Sequence, residues 1–240
     1  ICNAGNLCIN DNVLEIGPGT GNLTEYILQK KPKKFHVIEK DKRLIENLKK
    51  KFDKKLTIIN NDILKYDLKL LSNKDLVIFG NLPYNISSQI LINFINYPFS
   101  KFSYKKLVLM FQKEVADRIL AEDNSKNYGR LSIFSSWKLN IKKIMDISPS
   151  SFFPKPKVMS SLLIFEPKIN YIKFKNAKNL EHITNVFFNQ KRKMIKKPMR
   201  QLFDEYEIIA KKLRLNLNLR PQNISKAKYL EICKIFENLN

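Results

Sequence analysis

The chain has 240 residues, 44% hydrophobic, 11% aromatic and 28% charged. That is enough apolar material for a packed core, and it excludes a disordered or fibrous protein as well as a long array of domains. Its 44 Lys and Arg against 22 Asp and Glu leave +22, an excess that favours a polyanionic partner through phosphate neutralisation and counterion release.

Val13-Leu14-Glu15-Ile16 reads as a first strand, and Glu15-Ile16-Gly17-Pro18-Gly19-Thr20-Gly21 carries it into a helix over 22–30. Glycines at 17, 19 and 21 let backbone pass close to a ligand with no Cβ in the way. The spacing is E-x-G-x-G-x-G, with Pro18 after the first glycine, so it lacks the spaced amides and helix start that a pyrophosphate needs. Glu15 suits the ammonium or sulfonium of S-adenosylmethionine; the alternative is that it caps the turn's own amides. Phe35-His36-Val37-Ile38-Glu39 reads as a second strand, followed by a helix over 42–52. Glu39, with Lys40 beside it, ends that strand where a carboxylate can accept both ribose hydroxyls of an adenosyl group. A third strand over 56–60 leads to Asp62 and Ile63, a carboxylate for an adenine edge and an apolar side chain for its face.

Leu76-Val77-Ile78-Phe79-Gly80 reads as a fourth, fully buried strand, and Asn81-Leu82-Pro83-Tyr84 follows directly. An amide, a rigid proline and an aromatic ring at a strand end can grip a flat, amine-bearing base by its edge and its face. Such a grip suits methyl transfer to an exocyclic nitrogen once a methyl donor is bound. A helix over 87–96, a fifth strand over 106–111 and a helical stretch over 114–121 complete an α/β alternation of the doubly wound type.

Past Gly129 the spacing predicts a helix over 130–137 and strands over 141–147 and 161–165. Between these strands, residues 148–157 form a loop stiffened by Pro149, Pro154 and Pro156. After Pro167 the chain reads as several short helices, with an N-cap at Asn223 or Ser225 opening the last. Residues 168–240 hold 17 basic and 6 acidic side chains. Within them Lys191, Arg192, Lys193, Lys196, Lys197 and Arg200 occur with no acid, flanked by Phe187, Phe188 and Met194. This segment reads as the basic side of a packed helix facing phosphates. Cys2, Cys8 and Cys233 lack C-x-x-C spacing, so reduced thiols in a cytosolic setting are expected, with no disulfide, zinc or other metal site. No run approaches the ~20 apolar residues that span a bilayer.

Taken together these motifs resemble the KsgA-type family of small-subunit rRNA adenine N6,N6-dimethyltransferases. The resemblance rests on the 13–19 segment, the string Gly80-Asn81-Leu82-Pro83-Tyr84-Asn85-Ile86-Ser87, Gln112-Lys113-Glu114-Val115, residues 124–132, Pro154-Lys155-Pro156-Lys157-Val158, Phe188-Asn189-Gln190-Lys191-Arg192-Lys193 and Asn223-Ile224-Ser225. Many methyltransferases share the first motif; the string from Gly80 and the basic tail are specific. The resemblance implies a Rossmann-like S-adenosylmethionine-dependent methyltransferase domain over 1–167 and a small all-α, RNA-binding domain over 168–240. It implies catalysis by Asn81, Pro83, Tyr84 and Phe152, the two rings sandwiching a flipped adenine. Donor contacts would come from Glu15, Gly17, Gly19, Gly21, Glu39, Lys40, Asp62, Ile63 and Asn81, and RNA contacts from Lys191, Arg192, Lys193, Lys196 and Lys197. The implied substrate is two adjacent adenosines in a 3'-terminal hairpin loop of small-subunit rRNA, met in a pre-30S-type particle during ribosome biogenesis. The enzyme would act as a monomer in the cytoplasm or an organelle, without a membrane.

Two features depart from the family pattern. Lys196-Lys197-Pro198 replaces Arg-Asn-Ser, and Pro198 is expected to break a helix. The Gln-Asn-Phe-Leu segment that covers the methionine end of the donor has no counterpart, so the sequence is expected to start after it. Two other readings are open: an Erm-type large-subunit rRNA methyltransferase with an Asn-x-Pro-Tyr site, and a non-catalytic RNA-binding assembly or transcription factor on the same fold. The string from Gly80, the 124–132 segment and the basic tail favour the small subunit. Intact Glu39, Asp62, Asn81, Pro83 and Tyr84 favour catalysis.

Overall fold

A computed structural model describes residues 1–71, 76–97 and 102–239. Five strands alternate with helices in the order predicted: β1 (Asn12–Ile16), α1 (Asn22–Gln29), β2 (Lys34–Glu39), α2 (Lys42–Phe52), β3 (Thr57–Asn60), β4 (Leu76–Asn81), α3 (Ser87–Asn96), β5 (Tyr104–Gln112) and α4 (Lys113–Leu120). Helix α5 (Arg130–Lys138) and the antiparallel strands β6 (Leu139–Ile147) and β7 (Ser160–Pro167) follow. The sheet order is β3-β2-β1-β4-β5-β7-β6, with β1 to β5 parallel. This is a Rossmann-like sheet, and the expected fold class is borne out.

Strands covered on both faces need apolar side chains at every position, and β4 and β5 obey this rule: Leu76 to Phe79 and Leu107 to Phe111 are all buried. Each such side chain contributes about 1.5–3 kcal/mol. Helix α2 buries Ile45, Leu48 and Phe52 on one face, at the three- and four-residue spacing that a helix places in line. The chain order reverses between β1 and β4, and in open sheets of this kind ligands sit beyond the carboxyl ends of the strands at that point. Register fixes what gathers there. Ile16 pairs with both Ile38 and Gly80, so Gly17, Glu39 and Asn81 each lie one residue beyond a common row.

The chain divides into two compact units, residues 1–116 with 139–167, and residues 117–138 with 168–240. The second unit is helical, with α6 (Lys178–Phe188), α7 (Lys196–Leu202), α8 (Tyr206–Lys212) and α9 (Lys226–Leu239) joining α5. Phe187, Tyr128 and Tyr229 are fully buried in it. Residues 124–128 are clamped to 221–224: Asn124 N–H donates to the Gln222 carbonyl, and the Tyr128 hydroxyl donates to that of Ile224, both at 2.8 Å. Glu237, itself buried, accepts from the Lys175 and Asn176 amides and so anchors the entry to α6. Ser225 Oγ accepts from Lys228 N–H and opens α9, as one of the two expected caps.

The basic run differs from expectation. Residues 190–195 form turns, and only the part from Lys196 is helical. The interruption has a cause in Ile195, which is buried and donates its N–H to the Leu219 carbonyl at 2.8 Å instead of to a helical partner. Pro198 does not break a helix. It occupies the third position of α7, in the first turn, where no intrahelical N–H bond is required.

Candidate active site

Gly17, Gly19 and Gly21 all have positive φ, at 64°, 59° and 84°. They differ in what surrounds them. A Cβ built on Gly17 or Gly19 meets nothing within 4 Å, whereas one on Gly21 would come within 2.5 Å of the Phe52 ring. Gly21 is therefore glycine for packing and for the start of α1. Gly17 and Gly19 leave an open, side-chain-free backbone where a flat ligand can approach.

Glu39 is nearly buried, and its carboxylate accepts three amides: Lys40 and Asp41 on Oε1 at 2.8 and 3.0 Å, and Gly19 on Oε2 at 3.3 Å. Oε2 retains acceptor capacity for a hydroxyl. The same carboxylate thus holds the glycine turn against the end of β2. Asp62 receives the Lys40 ammonium at 2.9 Å and the Leu64 amide at 3.0 Å. The Lys40 hydrogen bond, with that of Leu64, holds the Asp62 carboxyl below its ordinary range. Lys40 is 76% exposed, so this ion pair contributes no more than ~1 kcal/mol and yields readily to an amine donor. Ile63 is half-buried beside it. An adenosyl group fits this set: open glycine backbone, a buried acceptor for hydroxyls, and a carboxylate with an apolar neighbour.

Glu15 lies beneath the turn. It is 2% exposed and accepts the Thr24 hydroxyl at 2.7 Å, so the structure does not bring it to a ligand surface or onto the turn's amides. Burial, against the Thr24 hydrogen bond and with the help of the Glu39 charge, pushes its carboxyl up to about 7 from the ordinary 4.5. A folded-state value above the unfolded one gives stability that is complete below about pH 4.5 and lost as pH rises through about 7. Over that window the loss is on the order of 3 kcal/mol. Denaturant midpoints of the wild-type protein are therefore expected to fall from pH 5 to pH 8, and Glu15→Gln should flatten that trend. An unchanged slope in the variant would place the titrating group elsewhere.

Asn81 is exposed at the exit of β4, and Pro83 and half-buried Tyr84 follow it. The Pro83 carbonyl accepts the Ile86 amide at 3.1 Å and keeps a second lone pair. The Tyr84 hydroxyl bonds Ser160 Oγ at 2.7 Å, which fixes the ring and occupies its polar tip. Asn81 and Phe152 line one cavity of about 520 Å³, with Phe153, Asn22, Leu23 and Tyr26 among its other walls. The first turns of α1 were not foreseen as part of this wall. Their spacing at 22, 23 and 26 marks one helix face beyond the glycine turn, which is the signal that would have found them. Tyr84 is not in that lining, so the structure brings Phe152 to Asn81 but does not itself show the two rings facing each other.

In the second unit, Arg192, Lys193, Lys196, Lys197, Arg200 and Arg220 line a separate cavity of about 940 Å³. Arg220 arrives through the backbone bond between Ile195 and Leu219 and was not foreseen. Lys191 stands apart from its neighbours: its ammonium donates to the Lys126 and Tyr128 carbonyls, both at 2.9 Å. Among the described residues no cluster of three or more His, Cys, Asp or Glu could hold a metal ion. No helix there is long and apolar enough to cross a membrane.

A family model described as ribosomal RNA adenine dimethylase matches residues 1–238. The chain is 58% identical over 230 residues to ribosomal RNA small subunit methyltransferase A of Pelagibacter ubique, covering 96% of this chain and 88% of that protein. It is 40% identical over 236 residues to the protein of the same name from Ehrlichia ruminantium, covering 95% and 87%. Among solved structures, a dimethyladenosine transferase from Plasmodium falciparum superposes with a TM-score of 0.79 at 27% identity, over 98% of this chain and 93% of that one. The 23S rRNA methyltransferase ErmE superposes with a TM-score of 0.71 over 99% and 95%; at 17% identity that likeness speaks to the fold alone.

Proposed function

The chain belongs to the ribosomal RNA adenine dimethylase family, and from that premise we propose that it dimethylates N6 of adenosines in small-subunit rRNA, using S-adenosylmethionine. The reading extends to two adjacent adenosines in a 3'-terminal hairpin loop of an assembling subunit, met by a monomer in the cytoplasm or an organelle. The observation that carries it is the shared cavity of Asn81 and Phe152 at the exit of β4, level in register with Gly17 and Glu39.

S-adenosylmethionine supplies an electrophilic methyl group on a sulfonium. Gly17, Gly19, Glu39, Asp62 and Ile63 would hold its adenosyl part. The chain's own task is to make an amine nucleophilic, because the lone pair of adenine N6 is delocalised into the ring. Asn81 Oδ1 and the free lone pair of the Pro83 carbonyl accept its two N–H groups and turn the nitrogen toward a tetrahedral shape. Tyr84, locked by Ser160, and Phe152 stack on the faces of the base. Orientation supplies most of the acceleration. No side chain needs to act as a strong base beforehand, since an N6 proton turns acidic once the nitrogen carries the new methyl.

Labelling purified small and large subunits with tritiated donor tests the reading; label confined to large-subunit RNA would overturn it in favour of the Erm-type activity. The basic cavity gives a second expectation. Arg192→Glu with Lys193→Glu should weaken RNA binding and lower the slope of log affinity against log salt by about 2 if each cation meets one phosphate. Lys191 is left out of that variant because its ammonium closes internal carbonyls. An unchanged slope would make this face merely solvated.

A further inference from the structure

Phe153 is 102% exposed, directly after half-buried Phe152. A single exposed apolar side chain is ordinary on a protein surface. The position of Phe153 is not ordinary, because it also lines the cavity that holds Asn81 and Phe152. Nor is the segment loose. At its start the Ser151 and Phe152 amides donate to the Ser148 and Pro149 carbonyls at 3.0 and 3.2 Å, and at its end the Lys113 amide donates to the Met159 carbonyl at 2.9 Å. Pro149, Pro154 and Pro156 restrict what lies between. Exposed Lys155 and Lys157 follow within four residues. A rigid loop therefore presents a bare aromatic ring at the mouth of the cavity, with two cations close behind it.

We propose that Phe153 stacks on the base adjoining the target nucleotide, while Lys155 and Lys157 meet the neighbouring phosphates, so that the strand stays splayed while the target occupies the cavity. This rests on the reading of the cavity as an adenine site. Extruding one base strips a stacking face from its neighbour, and an aromatic ring offered there replaces what was lost. The loop's backbone is already held, so the ordering cost on binding is confined to the rotamers of the ring itself. Phe152 and Phe153 then divide the work: the first faces the reacting base, the second its neighbour. Because Phe153 contacts a base that is not reacting, it acts on substrate binding and leaves the methyl-transfer step alone.

The test uses the full chain with small subunits lacking the modification as substrate, comparing Phe153→Ala, Phe153→Leu, Phe153→Trp and Phe152→Ala. Full exposure of the ring means that none of the Phe153 variants disturbs packing. Phe153→Ala is expected to raise KM for the subunit about tenfold or more, with the single-turnover rate at saturation within about twofold of the parent. Phe153→Trp should restore KM and Phe153→Leu should not, since Leu has bulk without a π face. Phe152→Ala should lower the saturated rate instead. An unchanged KM in Phe153→Ala, a fall confined to its saturated rate, or rescue by Leu equal to that by Trp overturns the proposal while the adenine-site reading stands. If the parent chain does not methylate small subunits at all, the reading itself fails and the proposal with it.

Discussion

Replacing Asn81 with Ala is expected to lower single-turnover methyl transfer about a thousand-fold, the scale seen when one preorganised polar partner of a reacting group is removed. RNA affinity should stay within about threefold, because phosphate contacts carry most of it. The separation follows from position. Asn81 is exposed at the last residue of β4, so its side chain supports no packing, and truncation should change stability by no more than about 0.5 kcal/mol. On the proposed mechanism, truncation removes one of two acceptors for the N6 amine. The Pro83 carbonyl, already bonded to the Ile86 amide, cannot orient the lone pair alone. Quench-flow with labelled donor, alongside filter binding, measures both quantities. Strong residual dimethylation in Asn81→Ala would show that the site has been misassigned; parallel loss of RNA binding would make Asn81 a docking residue.

Position relative to the strand ends also decides how much of the fold and site is legible in the sequence. Strands β4 and β5 could be read because a strand buried on both faces must be an unbroken apolar run, and β1 and β2 because a single residue, Glu15 or His36, interrupts theirs. Once strands are placed, the residues one step past their ends follow, and Gly17, Glu39 and Asn81 lie where that reading puts them. Less visible were features decided by contacts between segments distant in sequence. Helicity of the basic run depends on whether Ile195 bonds within a helix or to Leu219, and nothing in residues 190–200 states which. Lys191 looks like its neighbours until the carbonyls of Lys126 and Tyr128 are found beneath it. Likewise the unit that α5 joins is not written in its own periodicity, since almost all of its surface is apolar or small and most of it is buried. Glu15 was missed for a more local reason. Its motif suggested a ligand contact, but Thr24, nine residues on, places a hydroxyl within 2.7 Å and draws the carboxyl into the core.

Glu39→Ala is expected to weaken donor binding about a hundred-fold or more and to destabilise the fold by about 2–4 kcal/mol, a pairing of effects that Asn81→Ala does not share. Two roles converge on this carboxylate. It clamps the amides of Gly19, Lys40 and Asp41, so its loss leaves three N–H groups without their acceptor. In the proposed donor site its Oε2 would also accept the ribose hydroxyls, and a hydrogen bond to a charged group contributes about 1.5–3 kcal/mol. Glu39→Gln separates the roles: one carbonyl oxygen remains for the Lys40 and Asp41 amides, while the charge and the second acceptor oxygen are gone. The Gln variant should therefore recover most of the lost stability but little of the lost affinity. Calorimetric titration with S-adenosylhomocysteine, at a temperature where all three proteins are folded, reads affinity apart from stability. Should both variants bind this product within about threefold of the parent while Glu39→Ala still melts early, Glu39 serves only as a clamp on the turn. The hydroxyl acceptor would then have to be sought at Asp62, whose exposed Lys40 partner yields easily.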